Sequence, residues 1–280
     1  MTRMEWTTSS APVAPLRILL MGPYGIGKTY LIGYFNKRLQ ELTGKGIKDF
    51  DFDLGWPTLK NAGFNVDGIS YVIDPDNMGS AFDEFDIDFH QYLNDPHGYG
   101  GFAIDSLTTL QACTMDYVFR ENVRVGGESI NRRRVGRTQL ATENDYGALV
   151  VIMGQLLPQI LQISRHSIFI MTAHTRMMED KASGEMKIMP AISGRSLPSQ
   201  IGGWFNEVWY LRAEGYRGDV TRLAQTASGG QVDCKTQIAG MPYDLPVLTA
   251  AEKALVAYGI NQEPTEETQK LLAESFPEAS

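Results

Sequence analysis

The sequence predicts an α/β fold, with a mostly parallel central sheet and helices on both faces. Short apolar runs of strand length recur at 16–21, 102–105 and 168–172. Between them lie longer stretches whose apolar residues follow helical spacing. The first run leads through a glycine-rich loop straight into a helical pattern. Strands alternating with helices need crossover connections, and these bury a parallel sheet on both faces.

Each element can be justified in order. Residues 16–21 (Leu-Arg-Ile-Leu-Leu-Met) read as the first strand. Tyr30, Leu31, Tyr34, Phe35, Leu39 and Leu42 then give a helix, with Gly44 as its C-cap. Residues 46–53 read as a second strand, with Phe50 and Phe52 on one face, Asp51 and Asp53 on the other, and Gly55-Trp56-Pro57 ending it. A short strand follows at 69–73, then a helix at 81–93 on which Phe82, Phe85, Phe89 and Leu93 share a face. The run 102–105 ends in a carboxylate, and 107–119 looks helical. Residues 120–142 have weak periodicity and read as a loop or a helix with an irregular tip. From Tyr146 to Ile163 a long apolar helix is expected, kinked at Pro158. Residues 168–172 form a buried strand, 177–196 are mixed, and late strands are expected at 207–213, 221–226 and 231–237. Thr249 and Glu252 have the spacing of a capping box opening a helix to Tyr258. The expected organisation is a flexible arm (1–15), a core (16–245), and a C-terminal helical segment with an acidic tail (246–280).

Residues 22–29, Gly-Pro-Tyr-Gly-Ile-Gly-Lys-Thr, match the phosphate-binding pattern G-x-x-x-x-G-K-[ST] at every fixed position. Glycines let the backbone curl so that its N–H groups face inward around anionic oxygens. The candidate nucleotide contacts are Gly22, Pro23, Tyr24, Gly25, Ile26, Gly27, Lys28, Thr29 and Tyr30. Lys28 would reach the β- and γ-phosphates of ATP, and Thr29 would hold Mg2+ through its hydroxyl. Asp105 ends a buried strand at the edge where α/β sheets bind ligands. It is therefore the second Mg2+ candidate, and its competing role is a helix N-cap. Ser106 follows it where many such ATPases carry a catalytic glutamate. The water-activating carboxylate must then come from elsewhere: Asp53 first and Asp51 second, with a solvated strand end as the alternative for each. His174, ending the run 169–174, is placed to sense the γ-phosphate by hydrogen bonding, or is structural.

Composition sets limits. The chain has 280 residues and is 43% hydrophobic, enough for a substantial core. No apolar run reaches membrane-spanning length, so no membrane partner is expected. Cys113 and Cys234 have neither disulfide-framework nor zinc spacing, which fits a reducing cytoplasm. The net charge of −8 argues against nucleic acid coating the whole surface. Basic charge is nevertheless concentrated locally, in Arg120, Arg124, Arg132, Arg133, Arg134 and Arg137. Such a cluster can grip phosphates and stack on bases, or be a solvated surface.

Taken in order, these pieces are a phosphate loop, an acidic strand end, Ile104-Asp105-Ser106, a basic loop, and a long helix carrying Tyr146-Gly147. Thr172-Ala173-His174, Gly194-Arg195-Ser196, residues 205–211 and Cys234-Lys235-Thr236 follow. The order resembles the RecA-like recombinase core, and within it the phage single-strand annealing proteins of the Sak group. The resemblance implies a RecA-like P-loop NTPase fold over about 16–245, ATP and Mg2+ as cofactors, and ATP hydrolysis. Its implied partners are single-stranded DNA, further copies of the chain in a ring or filament, and a single-strand-binding protein. By the same resemblance 120–137 is the first DNA-facing loop and Arg176 to about Arg195 the second. Lys235, with Arg195 as second candidate, would reach a neighbouring subunit's γ-phosphate. The departures are the aspartate in place of a catalytic glutamate, His174 in place of a glutamine, and one late basic residue in place of two. A regulatory ATPase of the KaiC-like kind, which does not bind DNA, is the alternative.

Overall fold

The computed structural model describes residues 14–96, 98–124, 134–135, 138–139, 141–163, 168–179, 184–194, 197–216, 219–262, 266 and 268–269. The first half contains β1 (Arg17–Met21), α1 (Lys28–Thr43), β2 (Ile47–Asp51), α2 (Trp56–Asn61), β3 (Asp67–Ser70), α3 (Ser80–Asn94), β4 (Gly101–Asp105) and α4 (Leu107–Arg124). Then come β5 (Arg134–Val135), β6 (Thr138–Gln139), α5 (Glu143–Ile163), β7 (Ile168–Ala173), β8 (Thr175–Glu179), β9 (Met186–Pro190) and α6 (Leu197–Gln200). The last elements are β10 (Glu207–Tyr216), β11 (Asp219–Gln225), β12 (Asp244–Pro246) and α7 (Val247–Ala257).

Eight strands form the main sheet in the order β12-β11-β10-β1-β7-β4-β2-β3. The pairs from β10 through β1, β7, β4 and β2 to β3 are all parallel. β11 and β12 extend the sheet antiparallel. Parallel pairing brings the ends of β1, β7, β4 and β2 to one edge, where the loop 22–27, His174, Asp105 and Asp53 meet.

Strand alternation divides the core in two. Leu19, Met21, Phe50, Phe102, Ile104, Phe169 and Met171 face α3, α4 and α5; Phe85 and Phe89 of α3 meet Phe50 edge-on, and Phe89 also lies tilted on Phe102. Ile18, Leu20, Ala103, Ile168 and Ile170 face α1 and α7. Burial of each such side chain contributes on the order of 1.5–3 kcal/mol.

Several expected elements differ from those observed. The second strand ends at Asp51, because Asp51 accepts the N–H groups of Asp53, Gly55 and Trp56 and turns the chain out of the sheet. Phe50 and Phe52 do share the core, while Asp53 lies beyond the strand. Gly55-Trp56-Pro57 starts the short helix α2, with Pro in its first turn. The strand expected at 69–73 is β3, earlier by a few residues. Residues 231–237 form no regular strand; Val232 and Lys235 make isolated bridges to Ile188 and Val208. The mixed segment 177–196 holds most of a hairpin, β8 with β9.

α7 starts at Val247 with no side-chain cap, so Thr249 and Glu252 are not its capping box. Glu252 is instead buried under α1, where Tyr34 Oη donates to it at 2.7 Å and Arg38 Nε at 2.6 Å. α5 runs unbroken through Pro158. Its capping box is one the sequence reading passed over: Thr142 N–H donates to Asp145 at 2.8 Å and Asp145 N–H returns to Thr142 Oγ1 at 3.4 Å.

Candidate functional site

The loop between β1 and α1 turns on Gly25 and Gly27, with φ of 70° and 109°. Both values lie in the left-handed region that favours glycine. Gly22 is needed for a different reason: a Cβ there would stand 2.8 Å from the Leu211 carbonyl. Gly27 is the N-cap of the sixteen-residue helix α1 and offers no side-chain cap. The first-turn N–H groups of that helix therefore point, with its dipole, at whatever lies over the loop.

Lys28 is 6% exposed. Its ammonium donates to the carbonyls of Gly22 at 3.0 Å and Pro23 at 2.9 Å, and lies 3.3 Å from His174 Nδ1. Burial lowers its pKa, against the opposing pull of Asp105 and Asp53. An ammonium has only N–H to give, so Nδ1 of His174 accepts. The other nitrogen, Nε2–H, then donates to Asp53 Oδ2 at 2.9 Å. Lys28, His174 and Asp53 thus form one hydrogen-bonded chain. Tyr24, 80% exposed, stacks its ring on His174 with centroids 3.9 Å apart.

Asp53 is further held by Ser106 Oγ at 3.0 Å and by the Thr109 hydroxyl. Burial alone would raise its pKa. The His174 ring and then the Thr109 and Ser106 hydroxyls outweigh that and hold Asp53 below the usual carboxylate value. The serine after Asp105 thereby pins beside it a carboxylate from the loop that follows the neighbouring strand.

Asp105 is 1% exposed. Thr29 Oγ1 donates to it at 2.6 Å, and the Thr172 hydroxyl donates to its other oxygen. Burial raises its pKa from 3.8 to about 6; the Thr172 and Thr29 hydroxyls oppose the rise, and the charges of Asp53 and Asp51 add to it. A buried carboxylate and an adjacent hydroxyl, both hard oxygen donors, fit Mg2+, which takes few protein ligands and completes its shell with phosphate oxygens and water. Gly55 makes room for the pair: a Cβ there would lie 2.8 Å from Thr29 Cγ2 and 3.1 Å from Asp105 Oδ2. Among the described residues no cluster of three or more His, Cys, Asp or Glu side chains has metal-binding geometry.

The remaining candidates are spread out. Asp51 accepts from Asp53, Gly55, Trp56 and Ser70 and so holds the loop after β2. This leaves it poorly placed to act on water. Lys235 donates its ammonium to the Phe205 carbonyl at 2.8 Å within its own chain. Arg120 pairs with Asp83 and Glu121. Arg176 sits at the base of the β8–β9 hairpin and donates to the Ile192 carbonyl at 2.5 Å. Arg132, Arg133, Arg137 and Arg195 lie outside the described residues, as do the side chains of Arg124 and Arg134. The same holds for nearly all of the arm 1–15 and of the acidic tail.

The hydroxyls of Thr172, Ser106 and Thr109 were not anticipated as parts of the site. Thr172 and Ser106 lie at or just beyond the end of β7 or β4, and Thr109 lies in the first turn of α4; that adjacency is the signal that could have found them. Cys113 and Cys234 are free and buried. No helix among the described residues is long and apolar enough to cross a membrane.

No curated protein matches the chain. A family model described as an AAA domain matches residues 14–238, a span running from the residues before β1 past Lys235. With the glycine loop, Lys28, Thr29 and Asp105 assembled at one sheet edge, the chain belongs to the AAA-domain family and carries its nucleotide-binding ATPase domain.

Proposed function

We propose that the chain is an ATP-dependent, single-stranded-DNA-binding recombination or annealing protein of the RecA-like kind, working as a homo-oligomer. The observation that carries this reading is the double attachment of His174. Its ring joins Lys28 to Asp53. Its backbone closes the β8–β9 hairpin, since Ala191 N–H donates to the His174 carbonyl at 2.8 Å and β8 begins at the next residue. Any change in what Lys28 holds is therefore felt at the base of a hairpin whose second residue is Arg176. The other strand end behaves alike: Asp105 leads through Ser106 into α4, and α4 runs toward the arginine cluster.

The chain's residues divide the work as follows. Bound Mg–ATP supplies a phosphoryl group activated for transfer to water. The loop N–H groups and Lys28 bind the phosphates, and Thr29 with Asp105 would hold the metal. Asp53 orients water and accepts its proton, while His174 fixes the Asp53 carboxylate and reports on Lys28. To grip a phosphate oxygen Lys28 must exchange one of its present partners, and His174 is the one linked to the hairpin. A cation supplied by a neighbouring subunit, Lys235 or Arg195, would offset charge on the transferring group.

A regulatory ATPase that never meets DNA is the second reading, and one observation favours it: Arg120 is already paired with Asp83 and Glu121. Titrating labelled oligo-dT with and without Mg–ATP over a range of salt, with turnover followed in the same samples, separates the two. The DNA reading predicts ATP-dependent binding that weakens steeply with salt, and its loss in the Arg132, Arg133 and Arg134 triple alanine variant with nucleotide binding retained. Turnover without oligonucleotide binding at any salt would favour the regulatory reading.

A further inference from the structure

Arg222 of β11 stands over the phosphate loop. Its Cδ and Nε lie 3.5 and 3.6 Å from the point a Cβ would occupy on Gly27. The placement follows from alternation, since Ala224, two residues on, is buried in the layer formed by α1 and α7. Arg222 is exposed and forms no hydrogen bond or ion pair with a described residue. The neighbouring Arg212, by contrast, is neutralised by Glu214 and Asp244. A cation held beside the uncapped start of α1 adds its charge to the positive end of the helix. The arrangement becomes favourable when an anion joins it.

Resting on the nucleotide reading of this loop, we propose that Arg222 is a further nucleotide-binding residue, clamping the inner part of the nucleotide rather than its terminal phosphate. The sheet order supports the assignment. β7 and β4, which carry His174 and Asp105, lie on one side of β1, and β10 and β11 lie on the other. The terminal phosphate belongs on the side of His174 and Asp53, so the portion shared by ATP and ADP falls on the side of Arg222. A planar guanidinium suits bidentate contact with phosphate oxygens.

The test is calorimetric titration of Mg–ATP and Mg–ADP into the wild-type chain, R222A and R222K, with melting temperatures of all three measured without nucleotide. Loss of one charge-assisted contact should weaken both nucleotides in R222A by about tenfold and by similar factors, with partial recovery in R222K. The melting temperature without nucleotide should be unchanged, because Arg222 is exposed and supports nothing else. Unchanged affinity in R222A, or loss for ATP with ADP unaffected, would overturn the assignment while leaving the loop as a nucleotide site. A wild-type chain that takes up neither nucleotide would sink the reading of the loop itself.

Discussion

Lys28, His174 and Asp53 are joined by hydrogen bonds, so their variants should fail in different ways. Lys28→Ala should abolish measurable ATP binding. Asp53→Asn should keep binding but lower turnover by about 100-fold or more, the scale of a lost general base. His174→Ala should also slow turnover, and it should uncouple nucleotide from the β8–β9 hairpin, seen as ATP-independent proteolysis of that hairpin. Asp105 gives a prediction in pH. Its pKa is about 6 in the folded chain against 3.8 ordinarily, so between those values the folded state holds the extra proton. Its contribution to stability is complete below the lower value and is lost as pH rises through the upper one. The loss amounts to about 3 kcal/mol, converting the shift at 1.36 kcal/mol per unit. Chemical denaturation from pH 4 to pH 7 should show this decline in the wild type and a flatter profile in Asp105→Asn. At the residue scale the loop, Lys28, Thr29 and Asp105 were legible because their chemistry requires fixed residue types at fixed spacing. The hydroxyls around Asp53 and Asp105 were not, because any small polar residue fits a strand end and only the folded sheet brings the ends together.

Among the elements, α7 shows where local pattern and tertiary demand part. Thr249 and Glu252 have capping-box spacing, yet both are buried within the helix and Glu252 serves α1 instead. The helix follows directly on Pro246, the last residue of β12, which occupies the N-cap in an extended conformation and offers no side-chain cap. Glu252→Gln should therefore lower stability by about 1–3 kcal/mol, the cost of weakening charge-assisted bonds to Arg38 and Tyr34, with α7 helicity little changed. Denaturant midpoints and far-ultraviolet dichroism check both halves of that statement. The early end of β2 has a comparable cause. Alternation read from 46–53 extends the strand to Asp53, but the Asp51 carboxylate captures the following N–H groups and ends the ladder. The same diversion frees Asp53 to reach His174.

Across the whole molecule, the parallel order β10-β1-β7-β4-β2 was predictable in kind, since apolar strands alternating with helices have few other solutions. The positions of β11 and β12 were not, because antiparallel additions at a sheet margin depend on hairpin geometry and not on pattern. Their placement matters, since β11 brings Arg222 to the loop. If the site is completed by Lys235 or Arg195 of a neighbouring copy, turnover per chain should rise with protein concentration. Mixing wild type with an excess of Lys28→Ala chains should then change wild-type turnover beyond simple dilution.

On this reading the loop 22–29 grips a triphosphate through Lys28. Titration calorimetry of Mg–ATP into wild type and Lys28→Ala tests it most directly. A saturable heat in the wild type, absent from the variant while its melting temperature is retained, is the predicted result. No heat in the wild type, or the same affinity in both chains, would contradict it.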